Sequence, residues 1–74
     1  LEYTDEPLSA VIADFNRYAD REVRIVDPRV ADMRFSGTLL TRLTGQWLHT
    51  LPRLFPIAIR EQGDHLVIEA LYQG

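Results

Sequence analysis

The sequence predicts an α+β fold: two β-α-β units, ordered β-α-β and then β-α-β-β, with two helices packed between small sheets. Three observations predict it. Two stretches carry apolar residues at helical spacing. Five short stretches are apolar or alternate as strands do, and proline or glycine clusters punctuate the whole.

In the first unit, Leu1 to Thr4 alternates apolar and polar, as a short strand does. Thr4 or Asp5 is placed to cap the helix that follows. Asp5 and Glu6 put negative charge at its positive end, and Pro7 suits a first turn, where its missing N–H would be unpaired anyway. Leu8, Val11, Ile12, Phe15 and then Tyr18 or Ala19 make one apolar stripe, with Asp14, Arg17, Asp20 and Arg21 mostly off it. Val23 to Val26 reads as the second strand, and Asp27-Pro28 stops it, because the residue before proline is held extended and proline donates nothing to a ladder. Arg29 to Asp32 reads as a tight turn or a single helical turn.

In the second unit, Met33, Phe35, Gly37 and Leu39 alternate with Arg34, Ser36, Thr38 and Leu40 as a third strand, with Gly37 at a bulge or a close backbone approach. Leu43, Trp47, Leu48, Leu51 and Phe55 keep helical spacing. Gly45 weakens that helix by about 1 kcal/mol relative to alanine. Pro52 removes a helical hydrogen bond, so the regular helix is expected to end or kink near Leu51. Ile57 to Arg60 and His65 to Ala70 form a hairpin about Gln62-Gly63-Asp64. The two halves suggest a pseudo-repeat, although their residues are not similar enough to establish a duplication.

Bulk properties narrow the function classes. At 74 residues the chain is one small domain near the lower limit for a self-sufficient core, and its 46% hydrophobic content supports one. It has no cysteine, so neither a disulfide framework nor a thiolate zinc site is available. A net charge of −3 argues against a dedicated nucleic-acid binder. Arg17, Arg21, Arg24, Arg29 and Arg34 crowd the middle of the chain, but Asp14, Asp20, Glu22, Asp27 and Asp32 interleave with them, as on a solvated, salt-bridged surface. All eight basic residues are arginine. No apolar run reaches membrane-spanning length, and the chain opens without a methionine, which reads as an excised domain of a longer protein.

Catalysis finds little support in the residues. His49 and His65 have no cysteine partner, and each reads as solvated or capping. Asp27 and Asp32 flank Pro28 without the spacing of a calcium loop and read as caps. No phosphate-binding glycine motif or nucleophile elbow occurs, and Ser9 and Ser36 lack an activating context. Phe15, Phe35, Trp47 and Phe55 fall on apolar faces, as core residues do. No cofactor is expected. What remains is a binding module whose strand edges can pair with a partner strand.

A set of ordered blocks adds a resemblance. Pro7-Leu8, Phe15-Asn16-Arg17-Tyr18, Ile25, Asp27-Pro28, Phe35-Ser36-Gly37, Leu48, Leu51, Phe55-Pro56 and the hairpin Gly63-Asp64 with Val67-Ile68 together cover nearly the whole chain. In this order they resemble the C-terminal periplasmic segment of FecR-like regulators, the membrane-bound anti-sigma factors of iron-siderophore cell-surface signalling. The stretch from Thr41 to Pro56 departs from that family by carrying Gly45 and Pro52.

The resemblance implies a short secretin/TonB N-terminal (STN-like) fold. It also implies a parent protein with a cytoplasmic sigma-factor-binding segment, one inner-membrane helix and this domain in the periplasm, without membrane contact of its own. The implied partner is the N-terminal signalling domain of an outer-membrane TonB-dependent transducer. Similar domains occur in the transducers themselves and in secretins, where they assemble into rings, which leaves those as alternatives. On this reading the outward side of the strands, Arg24, Val26, Arg60, Val67 and Glu69, is the expected contact surface. Phe15 and Tyr18 are expected to anchor the first helix end on the sheet, while Asn16 and Arg17 finish the helix.

Overall fold

The computed structural model describes residues 1–71. The fold is α+β, with five strands in two small sheets and three helices among these residues. The order is β1 (Glu2–Pro7), α1 (Leu8–Phe15), β2 (Val23–Ile25), α2 (Pro28–Ala31), β3 (Arg34–Thr38), α3 (Thr44–Leu54), β4 (Ile57–Gln62) and β5 (His65–Ala70). The two halves interleave. β1 pairs antiparallel with β3, and β2 pairs parallel with β5, so each sheet draws strands from both units. β4 and β5 form the expected antiparallel hairpin, and the three-stranded sheet runs β2-β5-β4.

The first strand runs longer than its alternation indicates and continues to Pro7. Pairing of Glu6 with Phe35 and Pro7 with Arg34 holds the chain extended, and the Leu8 N–H donates to the Met33 carbonyl at 2.7 Å. Asp5 and Glu6 therefore do not enter a first helical turn. Pro7 stands just before the helix with φ −64° and ψ 141°, and no side chain caps that end. Asp5 sits instead in a bulge of β1 with φ +51°, an uncommon conformation for a residue with a Cβ. Ser36 Oγ accepts the Asp5 N–H at 2.9 Å, and an Arg34 guanidinium N–H reaches the Asp5 carbonyl at 3.3 Å.

The core follows the predicted stripes. Leu8, Val11, Ile12 and Phe15 of α1 and Trp47, Leu48 and Leu51 of α3 are all buried. Val23 and Ile68 close the core from the three-stranded sheet, and Phe35 and Leu39 from the β3 side. Phe35 links the layers. Its ring lies 6.0 Å from Tyr3, 5.7 Å from Trp47 and 6.5 Å from Phe55, while Phe15 meets Trp47 at 5.5 Å. Edge-on and tilted pairs at these separations are favourable aromatic geometries. Burial also pushes the Tyr3 hydroxyl up to about 12, helped by its 2.7 Å hydrogen bond to the Asp14 carboxylate.

Two further expectations change. Tyr18 is 48% exposed, so it does not anchor the helix end; Phe15 and Ala19 face inward there. The helix stops at Phe15, and the turn after it carries Tyr18 outside the apolar stripe. The third helix does not end at Leu51 but continues through Pro52 to Leu54, where the Phe55 N–H still donates to the Leu51 carbonyl at 2.9 Å. Pro52 costs only the single bond to the Leu48 carbonyl, and burial of Trp47, Leu48 and Leu51 holds the helix on the core. The Arg29–Asp32 turn resolves into α2, whose Asp27 cap accepts the Arg29 N–H at 2.9 Å. The Arg29 guanidinium beside it holds the Asp27 carboxyl below its usual range.

Candidate partner-binding surface

Strand alternation divides the three-stranded sheet into two faces. Val23 and Ile25, Leu66 and Ile68, and Ile57 and Ile59 turn toward the core. The intervening residues face away from it. Arg24, Val67 and Arg60 stand abreast on β2, β5 and β4 as one cross-strand row. Arg60 Nε donates to Glu69 Oε1 at 2.8 Å and Nη2 to Oε2 at 3.3 Å, a two-pronged pair that fixes both side chains on this face. Arg24 is held by Glu22 at 2.9 Å. Val26 follows β2 with its N–H on the Ile68 carbonyl and is 58% exposed. The five residues expected at the contact surface thus lie on one side of one sheet.

They are not equally accessible. Val67 is only 1% exposed, although it lies outside the core cluster. Arginine stems flank it on both sides, and such stems cover apolar surface while their heads stay in water. A partner approaching this face therefore meets Arg24, Arg60, Glu69 and Val26, with Val67 beneath.

Sequence reasoning did not find how the edges of this sheet differ. At β2, the Asn16 side chain lies along the strand's outer edge. Its Oδ1 accepts the Val23 N–H at 2.9 Å, and its Nδ2 donates to the Val23 carbonyl at 3.0 Å. One amide thereby replaces a neighbouring strand and ties the end of α1 to β2. At the opposite edge, β4 has no strand beside it among the described residues. The signal in the sequence is Asn16 itself, an amide carrying both a donor and an acceptor, seven residues before Val23.

The remaining block residues also serve the fold. Ser36 holds the bulge at Asp5, and Asp27 caps α2. Gly37 has φ +149°, and a Cβ there would meet Phe35 Cζ at 3.2 Å. Gly63, at φ +64°, occupies the first position of the two-residue turn between Gln62 and His65, where positive φ favours glycine.

His65 Nδ1 lies 3.3 Å from Asp64 Oδ1 in the exposed hairpin turn, and this contact with the imidazole lowers the Asp64 carboxyl. Among the described residues no three histidine or acidic side chains gather in the geometry of a metal site. Among the same residues no helix is long and apolar enough to cross a membrane. No protein-family model matches the chain, and no curated protein matches it significantly.

Proposed function

We propose that this chain is the periplasmic signalling domain of a FecR-like sigma-factor regulator, acting by docking to the N-terminal signalling domain of a TonB-dependent transducer. The reading is supported by the ordered residue blocks and by one structural observation: Arg24, Val26, Arg60 and Glu69 form an exposed face over Val67, on a sheet whose other side is committed to the core. Ion pairs at a rim of this kind set orientation and encounter rate more than affinity, so the face suits a reversible signalling contact. Docking would report the state of the outer-membrane receptor to the inner-membrane regulator, with no chemical step in this domain.

The test is a combined charge reversal, Arg24→Glu, Arg60→Glu and Glu69→Arg, titrated against the purified transducer domain. Keeping an arginine–glutamate pair between positions 60 and 69 preserves the fold while inverting the local pattern. Loss of at least tenfold in affinity is expected. Unchanged affinity would remove this face from the interface.

A further inference from the structure

We propose that the cleft between α3 and the free edge of β4 receives an extended, acidic segment of a partner protein as an added β-strand. This deepens the docking reading and rests on it only for the partner's identity.

The hydrogen-bond phase of β4 sets what the edge offers. Gln62 pairs with His65 across a two-residue turn, and the Leu71 N–H donates to the Pro56 carbonyl at 2.9 Å. Both place the backbone groups of the even-numbered residues, Pro56 to Gln62, against β5, because antiparallel pairs alternate in hydrogen bonding. The odd-numbered residues therefore direct theirs outward. The Ile57 N–H is already taken by the Phe55 carbonyl at 2.8 Å. Ile59 and Glu61 are left with both N–H and C=O facing away from the sheet. β2 has no such vacancy at Val23, because Asn16 occupies it.

The space beside this edge is open. A cleft of about 450 Å³ runs between β4 and α3, with Leu48, Pro52 and Ile59 supplying apolar wall and Arg21, His49 and Arg60 supplying cations or potential cations. Gly45 contributes no side chain to fill it, having nothing within 4 Å of a Cβ position. Charge selects the occupant. The chain as a whole is acidic, yet from Met33 to Arg60 it contains no acidic residue and carries Arg34, Arg42, Arg53 and Arg60. Arg53 lies one helical turn beyond His49 on the same side of α3. Glu61, the one carboxylate among the lining residues, is engaged by Arg21 at 3.5 Å. A second copy of this chain pairing by the same edge would bring two basic α3 flanks together, which like-charge repulsion opposes. An extended segment alternating acidic and apolar residues meets no such opposition.

The probe is a capped heptapeptide alternating aspartate with valine, with a lysine–valine peptide as its counterpart, each titrated into the full chain and followed by amide NMR. The acidic peptide is expected to slow hydrogen exchange at Ile59 and Glu61 and to bind at least tenfold tighter than the basic one. Glu61→Pro deletes the outward N–H without touching the β4–β5 ladder, so it is expected to weaken binding about tenfold, while Glu61→Ala is not. Equal binding of the two peptides, no response at Ile59 and Glu61, or protection of those amides by self-association would each overturn the proposal. The transducer domain then separates the two readings. If it binds Glu61→Pro as tightly as the parent chain, the edge is refuted and docking elsewhere stands. If it does not bind at all while the acidic peptide does, the edge stands and the partner assignment fails.

Discussion

Replacing Asn16 with alanine removes both arms of the bridge to β2. The Val23 N–H and C=O, partly buried and bonded at 2.9 and 3.0 Å, lose their partners together. A typical intramolecular hydrogen bond contributes about 0.5–1.5 kcal/mol net, so two give about 1–3 kcal/mol, toward the upper end where water reaches the freed groups poorly. A domain of this size has a total stability of only about 4–11 kcal/mol, and each kcal/mol moves its midpoint by about 4–8 °C. Asn16→Ala is therefore expected to lower Tm by roughly 8–16 °C for a 2 kcal/mol loss. Urea denaturation followed by Trp47 fluorescence should show the same loss with an unchanged slope. Asn16→Asp refines the test. Its carboxylate still accepts the Val23 N–H but faces the Val23 carbonyl with a second acceptor, so it should be destabilised at neutral pH and recover partly as the carboxyl protonates and can donate. A loss below about 0.5 kcal/mol for Asn16→Ala, smaller than one ordinary hydrogen bond, would refute the bridge as the element that closes β2.

Other predictions follow from the same geometry. Tyr3→Phe deletes the hydrogen bond to Asp14 and is expected to cost about 1 kcal/mol at neutral pH. Because the folded Tyr3 titrates at about 12 and an unfolded tyrosine near 10, its contribution is whole below pH 10 and is lost as pH rises toward 12. The parent chain should show that extra alkaline loss in a pH series of melts and Tyr3→Phe should not; the chain has no lysine to confuse the window. Gly37→Ala places a methyl group 3.2 Å from the Phe35 ring at φ +149° and is expected to destabilise by about 1–3 kcal/mol in the same denaturation assay. Pro52→Ala restores a donor to the Leu48 carbonyl and should raise the helical circular-dichroism signal and stabilise by about 1–3 kcal/mol.

The local parts of this fold were legible and the non-local ones were not. Apolar spacing marked the buried face of α1 from Leu8 to Phe15 and of α3 from Trp47 to Leu51, because helix faces follow from short-range geometry. Gly63 marked the hairpin for the same reason. The end of β1 was misplaced because Glu6 and Pro7 have the chemistry of a helix start, and only pairing with Phe35 and Arg34, distant in sequence, keeps them extended. Pro52 points to an end or kink near Leu51 because propensity weighs one lost hydrogen bond; the helix does not end there, since Trp47, Leu48 and Leu51 bind it to the core.

The expected contact residues came together on one face because alternation fixes the side on which a strand residue stands. Val67's burial there depends on what flanks it across the sheet, which alternation does not specify. The Asn16 bridge needs α1 and β2 placed side by side before its meaning appears.

The central claim is that this domain works by docking. Calorimetric titration of the domain with the purified N-terminal signalling domain of a TonB-dependent transducer, the proposed partner, tests that claim most directly. The account predicts saturable binding with a negative heat-capacity change, the mark of apolar surface buried at the contact. A flat titration, with both domains shown to be folded, would contradict it.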